Sequence, residues 1–530
     1  MRYSVVSPIG VLVFVAGFLM IYEKEIAHAE SQKVRPMAVA GSFYPADPAE
    51  LSRMIDGFLA KATPPPVNDV VAIVSPHAGY EYAGPVAAYS YALLKGRTFD
   101  RVVVIAPSHY EAFDYASVYD GAAYTTPLGQ VPVDHAFAAK LAGASSLIRL
   151  SGAGHTPSRD KPEHSLETQL PYLQKTIGKF QLVPIIMGDQ SYEACRALGV
   201  ALAKLVKGTN TLIVASSDLS HYHPYDDAVK IDRKTLRAIE EWDYLSMSRN
   251  FDQRVWEACG GGPIIAAMIA CERLGATQAK VLKYLNSGDT AGDKSRVVGY
   301  GAVAFYKAAR TGASREEAFS LSRNERDELL KIARRSVETA VKQGKPDSSP
   351  ATGMSALEQE RGAFVTLREH GELRGCIGYV SPFKPLWVTV RDVALFAALK
   401  DTRFRPVKAA ELPVLEYEVS VLSPMRRVMD PKEIRMGTDG LLIRQGDVEG
   451  LLLPQVAVEE KWDRAQFLEQ VCFKAGLPAH AWQDPSADLF RFTALVFGDP
   501  KPAEPIFPAE DSPASRTDAA RPGAPGSPRP

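Results

Sequence analysis

Two apolar runs of this chain end alike: "VVAIVSPHAGY" closes on Pro76-His77 and "RVVVIAPSHY" on Pro107-Ser108-His109. An imidazole held just past a buried strand can ligate a transition metal at about 2.0–2.1 Å, and two such rings can share one ion. A third run, "TLIVASSDLSHYHPY", delivers Asp218, His221 and His223. Asp218 can orient an imidazole or a metal-bound water, and equally suits an Asx-type turn. His221 can move protons near neutral pH. In "EACGGGPIIAAMIACERLG" Cys259 stands before three glycines and a proline that open a helix. The positive helix end favours thiolate, a soft ligand; the other reading is a small buried hydrophobe, which is how Cys271 reads. The loop "RDKPEHSLETQLPYL" adds His164 and Glu167. These stand three apart, on one face of a helix start. Glu167 can instead serve the helix N-terminus, and a solvated surface histidine would look the same as His164.

Strands must bring these residues together. The runs Val70–Ser75, Arg101–Ala106, Gln181–Ile186, Thr211–Ser216 and Val297–Phe305 read as strands that alternate with helical patterns, the signature of a mainly parallel sheet flanked by helices. Ligands of such sheets sit beyond the carboxyl ends of the strands. Neighbouring strands lie about 4.8 Å apart, so the strands ending at His77 and His109 are expected side by side after one right-handed crossover. The helix between them is expected to carry Pro85 in its first turn.

After residue 309 the pattern changes. Residues 310–320 read as a linker, and residues 321–499 combine a helix with alternating strands such as "GAFVTLREHGELRGCIGYV", which predicts a smaller α+β domain. Residues 500–530 are rich in Pro and Ala, a composition of disordered tails. At the other end, Arg2, an apolar run from Val5 to Tyr22 and Ala27-His28-Ala29 are ordered as in a signal peptide cleaved near Glu30. The run is also close to the length of a membrane anchor. Either reading of residues 1–29 predicts an exported chain, periplasmic or otherwise extracytoplasmic, that meets a membrane only through this segment.

The 530 residues carry a formal net charge of −1. This balance argues against nucleic-acid binding, which calls for a basic excess or stripe. The five cysteines are odd in number, widely spaced and without a Cys-x-x-Cys pair. That excludes a disulfide framework and argues against a zinc knuckle.

The motifs "AGSFYPAD", "SPHAGYEYAGPVAA", "APSHY", "EHSLETQLPYL", "SSDLSHYH" and "CGGGPI" resemble, in order and spacing, the Memo-like family, protein B of the AmmeMemoRadiSam group. The resemblance covers Arg35 to about Phe305, within a metal-binding domain expected over residues 34–309, and implies a fold similar to the class III extradiol dioxygenases, with a metal pocket at the strand ends. It implies His77, His109 and Cys259 as metal ligands, Asp218 and His221 as pocket partners, and His164 as the second histidine for acid–base work. In the dioxygenases a carboxylate fills the place of Cys259. A thiolate there shifts the preference toward softer metals, so iron or copper is the implied cofactor.

The later motifs "LRGCIG", "DTRFRPV", "LEYEVSVLSP" and "GLLLPQVAVEEKWDRAQFLEQVCFKAGLP" resemble the AMMECR-type domain, protein A of the same group. Arg374 and Cys376 there either form a small-ligand site or belong to a bulged strand that needs Gly375 and Gly378. The fusion implies a metal-dependent redox enzyme, a non-haem oxidoreductase of dioxygenase-like type. Its substrate would be a small organic molecule or peptide, with a radical SAM protein as partner. The alternative is a non-catalytic, metal-containing binding module.

Overall fold

The computed structural model describes residues 33–308, 319–349 and 353–499. The expected signal or anchor, the tail and most of the linker lie outside the described residues.

The first domain is built on strands β1 (Val70–Ser75), β2 (Arg101–Pro107), β3 (Gln181–Met187) and β4 (Thr211–Ser216). Helices α1 (Tyr225–Glu240) and α2 (Gly261–Arg273) follow, and then strand β5 (Val297–Tyr306). All belong to, or pack on, a nine-stranded sheet. Its spatial centre runs β5, β1, β4, β2, β3. The β1–β4, β4–β2 and β2–β3 pairs are parallel.

Parallel order stops at the flanks. β5 runs antiparallel to β1 and forms an antiparallel pair with Gln278–Asn286. Beyond β3, the short strand Ala116–Val118 is antiparallel. Of these pairs only Gln278–Asn286 with β5 joins successive strands through a short return, and at the far edge Ala116–Val118 pairs in parallel with Ile148–Leu150.

Alternate side chains of each central strand enter opposite cores, as the period of two dictates. Ala72, Val74, Val103, Ile105, Ile213 and Ala215 face one core with Ile265 and Ile269 of α2. Ile73, Val102, Val104, Leu212 and Val214 face the other, with Val86 and Tyr91. Helices therefore cover both faces of the sheet.

Two local expectations are corrected. β1 and β2 are not neighbours, because β4 lies between them. The crossover from β1 to β2 leaves a gap one strand wide that the later chain fills. The helix after His77 spans Tyr80–Ala92 and holds Pro85 inside it rather than in its first turn. The extra N-terminal turn buries Tyr80, whose hydroxyl donates to the Thr168 carbonyl at 2.6 Å.

The second domain opens on the helix Arg323–Gln343, started by a Ser322/Glu325 capping box and ended by Gly344 at φ 65°. Its seven-stranded sheet is antiparallel in every recorded pairing. The two domains share apolar packing: Leu442, Phe490 and Phe492 join the same buried cluster as Tyr244 and Met247. At this seam Asp488, 2 % exposed, accepts from Arg196 at 2.7 Å, Tyr192 at 2.8 Å and Arg427 at 3.1 Å, with Arg273 at 3.5 Å.

Candidate metal centre

The ends of β1, β4 and β2 converge on one pocket. Because β4 intervenes, His77 and His109 reach toward each other across its end, where the Ser216 hydroxyl meets His77 Nδ1. Their ring centroids are 5.1 Å apart. Cys259 enters from the segment before α2, pinned to β4: its N–H donates to the Asp218 carbonyl at 3.2 Å, and the Asp218 N–H donates to its Sγ at 3.2 Å. Gly260 permits this approach, since a Cβ there would stand 2.2 Å from the Ser216 carbonyl oxygen. Ligand-capable atoms of His77, His109 and Cys259 all lie within 4.8 Å of one another.

Hydrogen bonding sets the tautomers. Ser216 spends its one hydroxyl proton on the Ser165 carbonyl at 2.6 Å and accepts from Gln169 Nε2 at 2.9 Å. His77 Nδ1, 2.9 Å from the same oxygen, must therefore be the donor, which leaves Nε2 with a free lone pair. That Nε2 lies 3.1 Å from Cys259 Sγ. Burial, then His109, His164 and His221, push the His77 pKa well down, so it is neutral.

Glu163 orients His109. Its Oε2 accepts from the His109 N–H at 2.6 Å, and its Oε1 lies 3.1 Å from His109 Nδ1. Burial opposes ionisation of Glu163, but the His109 contacts and backbone N–H groups outweigh it and hold the pKa at about 2. An ionised carboxylate only accepts, so Nδ1 carries a proton and Nε2 is the nitrogen left to face a metal. Burial works against the imidazolium, but Glu163 and Asp218 outweigh it and raise the His109 pKa, so a metal at Nε2 would displace a proton there.

The donors fit a transition metal. Two imidazole Nε2 atoms and one sulfur form a mixed N/S set. With metal–N near 2.0–2.1 Å and metal–S near 2.3 Å, donors 3.1 Å apart subtend roughly a right angle at one ion. The expected thiolate at Cys259 is corrected for the metal-free protein. Burial and then the Asp218 carboxylate push the thiol pKa up, against the pull of the helix end. A metal ion held there would reverse that balance by displacing the thiol proton.

His164 stacks on His109, with ring centroids 4.9 Å apart and planes 8° apart. Its Nδ1 is buried and has no hydrogen-bond partner among the described residues. Burial and His109 lower its pKa to about 4, so at neutral pH it is uncharged. Asp218 accepts from the His77 N–H at 2.8 Å, and its Oδ2 lies 3.9 Å from His77 Nε2; burial raises its pKa. His221 donates Nδ1–H to the Leu219 carbonyl at 2.8 Å, and it neighbours His77 and Asp218. Tyr222 beside it adopts φ 63° at a register break in its strand and is 61 % exposed.

Glu167 lies away from this chemistry. It is fully buried, pairs with Arg35 and accepts from the Ala38 and Val39 N–H groups and the Tyr44 hydroxyl. It thus ties the first described segment to the loop carrying His164. In the second domain, a register shift lies opposite the Leu373–Gly375 stretch. A Cβ at Gly375 would stand 2.2 Å from the Ala397 carbonyl oxygen. Arg374 is paired with Glu411 at 2.7 Å, and Cys376 gives its N–H to Asp401 at 2.9 Å and lies 3.3 Å from the Thr366 hydroxyl. Sequence reading missed Glu163 and Ser216, although an acid directly before His164 and a serine two before Asp218 were visible signals.

Comparison with known proteins matches this architecture. A family model described as Memo-like protein covers residues 35–304, and one described as AMMECR1 covers residues 330–497. A MEMO1 family protein of Nitrosopumilus maritimus is 38 % identical over 278 residues, 51 % of this chain and 99 % of the relative. One from Methanopyrus kandleri is 37 % identical over 283 residues, 51 % of this chain and 98 % of the relative. The crystal structure of the uncharacterized protein PH0010 from Pyrococcus horikoshii is 40 % identical, with a TM-score of 0.32, and its match covers 32 % of this chain and 89 % of that one. With the histidine-bearing strand ends inside the first match and the antiparallel sheet inside the second, the chain belongs to the Memo-like family and carries a C-terminal AMMECR1 domain.

Proposed function

We propose that His77, His109 and Cys259 hold one iron or copper ion, and that the Memo-like domain is a metal-dependent oxidoreductase, related in fold to the class III extradiol dioxygenases, acting on a small organic molecule or peptide. The observation that carries this reading is the pair of oriented rings: Ser216 and Glu163 engage both Nδ1 atoms and so turn both Nε2 atoms toward the Cys259 sulfur. The bound ion would supply Lewis acidity and electron transfer that side chains lack.

The chain's own residues provide the setting. His164 is neutral at pH 7 and presents an Nδ1, unpartnered among the described residues, as a hydrogen-bonding group for a ligand. His221 and Asp218 serve proton movement. Tyr110 and Tyr222, 42 % and 61 % exposed and adjacent to His109 and His221, offer aromatic surface to an organic substrate. Export, read from residues 1–29, completes the proposal, and an amino terminus near Glu30 by protein sequencing is its test.

Elemental analysis of protein purified from its native compartment tests the metal. The expected result is about one iron or copper per chain, lost in His77→Ala, His109→Ala and Cys259→Ser. Full occupancy in both His77→Ala and Cys259→Ser would overturn the assignment.

A further inference from the structure

Three consecutive residues of the AMMECR1 domain grip one face of α1 and its cap. Gln359 Oε1 accepts from Arg237 at 2.9 Å, Glu360 pairs with Lys234 at 2.6 Å, and Arg361 donates to Glu241 at 3.0 Å. Positions 234, 237 and 241 recur at helical spacing, so the clip fits one stripe. It is anchored from behind, because the Leu386 N–H donates to the Gln359 carbonyl at 2.8 Å and the Trp387 N–H to the Leu357 carbonyl at 3.2 Å.

Glu360 also accepts from Trp256 Nε1 at 3.0 Å, and Trp256 is 4 % exposed. Trp256 stands three residues before Cys259. Between them, Glu257 pairs with His223 Nε2 at 2.8 Å, accepts from the His221 N–H at 3.3 Å, and its carbonyl accepts from Thr235 of α1 at 3.3 Å. One carboxylate of the second domain thus holds both the helix that follows His221 and the segment that ends in Cys259.

We infer that Glu360 is a positioning residue for Cys259, so that the AMMECR1 domain aligns the sulfur ligand of the Memo-like domain. The inference rests on the metal reading above for its consequence, but not for its geometry. Without the carboxylate, the buried indole N–H has no acceptor and must move to find one. A cavity of about 240 Å³, lined in part by Trp256 and Glu360, gives it room to do so. The short segment to Cys259 would move with it and spoil the 3.1 Å relation to His77.

The test uses the full chain with Glu360→Ala, Glu360→Gln and Arg249→Ala. The last removes a domain contact elsewhere, to Ser381 and Glu449. Cobalt(II) is titrated while the thiolate-to-metal absorption band is recorded, and alkylation of Cys259 in the metal-free protein is timed by peptide mass spectrometry. Glu360→Ala is expected to bind cobalt about tenfold more weakly, the low end for a supporting residue, with an altered band and faster alkylation. Glu360→Gln keeps an acceptor for Trp256 and should stay near wild type on both readouts, as should Arg249→Ala. An unchanged band and alkylation rate in Glu360→Ala overturns the inference, and so does an equal change in Arg249→Ala. If wild type shows no band, the metal reading falls, and the alkylation rates still decide the positioning role.

Discussion

Replacing Glu163 with Gln should weaken metal binding about 10- to 100-fold, although Glu163 is not among the proposed ligands. Both of its oxygens face N–H donors. Oε2 takes the His109 backbone N–H at 2.6 Å, while Oε1 takes the N–H groups of His164 at 2.9 Å and Ser165 at 3.0 Å and faces His109 Nδ1 at 3.1 Å. A glutamine amide presents NH2 on one side, so either orientation turns a donor against a donor. In one, the His109 ring loses the acceptor that holds its Nδ1 proton and leaves Nε2 to face a metal. In the other, the His109 backbone loses its acceptor. Loss of such support costs about 10- to 100-fold in metal affinity, or about 1.4–2.7 kcal/mol. Because the carboxyl pKa is held at about 2, it is ionised well below neutrality, and the deficit should persist across the neutral range. Competitive chelator titration of wild type and Glu163→Gln measures it. A variant that binds within about twofold of wild type would show that the carboxylate does not set the His109 tautomer.

Asp488→Asn should destabilise the full chain by about 3–5 kcal/mol in denaturant unfolding, since it leaves Arg196, Arg273 and Arg427 at the seam without their shared anion. Burial works against ionisation of Asp488, but the arginines outweigh it and hold its pKa below the ordinary value. Its contribution is therefore complete above the unfolded pKa near about 3.9 and disappears as pH falls through the folded value, so the gap between wild type and variant should close in acid. Gly260→Ala should cost about 1–3 kcal/mol and weaken metal binding, because its Cβ meets the Ser216 carbonyl at 2.2 Å; thermal unfolding with cobalt titration checks both. His221→Ala should keep the ion and lower any turnover about 10²-fold or more, as for a lost proton-transfer group, and loss of metal in this variant would move His221 into the ligand set.

The reach of the sequence follows from which forces are local. Apolar runs that must be buried on both faces mark themselves, and β1 and β4 begin and end where the pattern of residues says they do. Candidate residues at strand ends are legible for the same reason, and so His77, His109 and Asp218 stand out in the chain alone, while Cys259 stands out by its place before a helix start. Strand order is a different matter. Which strand fills the gap between β1 and β2 depends on crossovers closed over a hundred residues, and β4 took that place. The tautomers likewise belong to the tertiary structure, because Ser216 and Glu163 act on histidines 139 and 54 residues away. The helix end alone favours a thiolate at Cys259, but in the metal-free protein burial, a property of the whole fold, outweighs the local dipole. The grip of Gln359, Glu360 and Arg361 on α1 had no signature in either domain's motifs, because surface charges reveal their partners only once the two domains are docked.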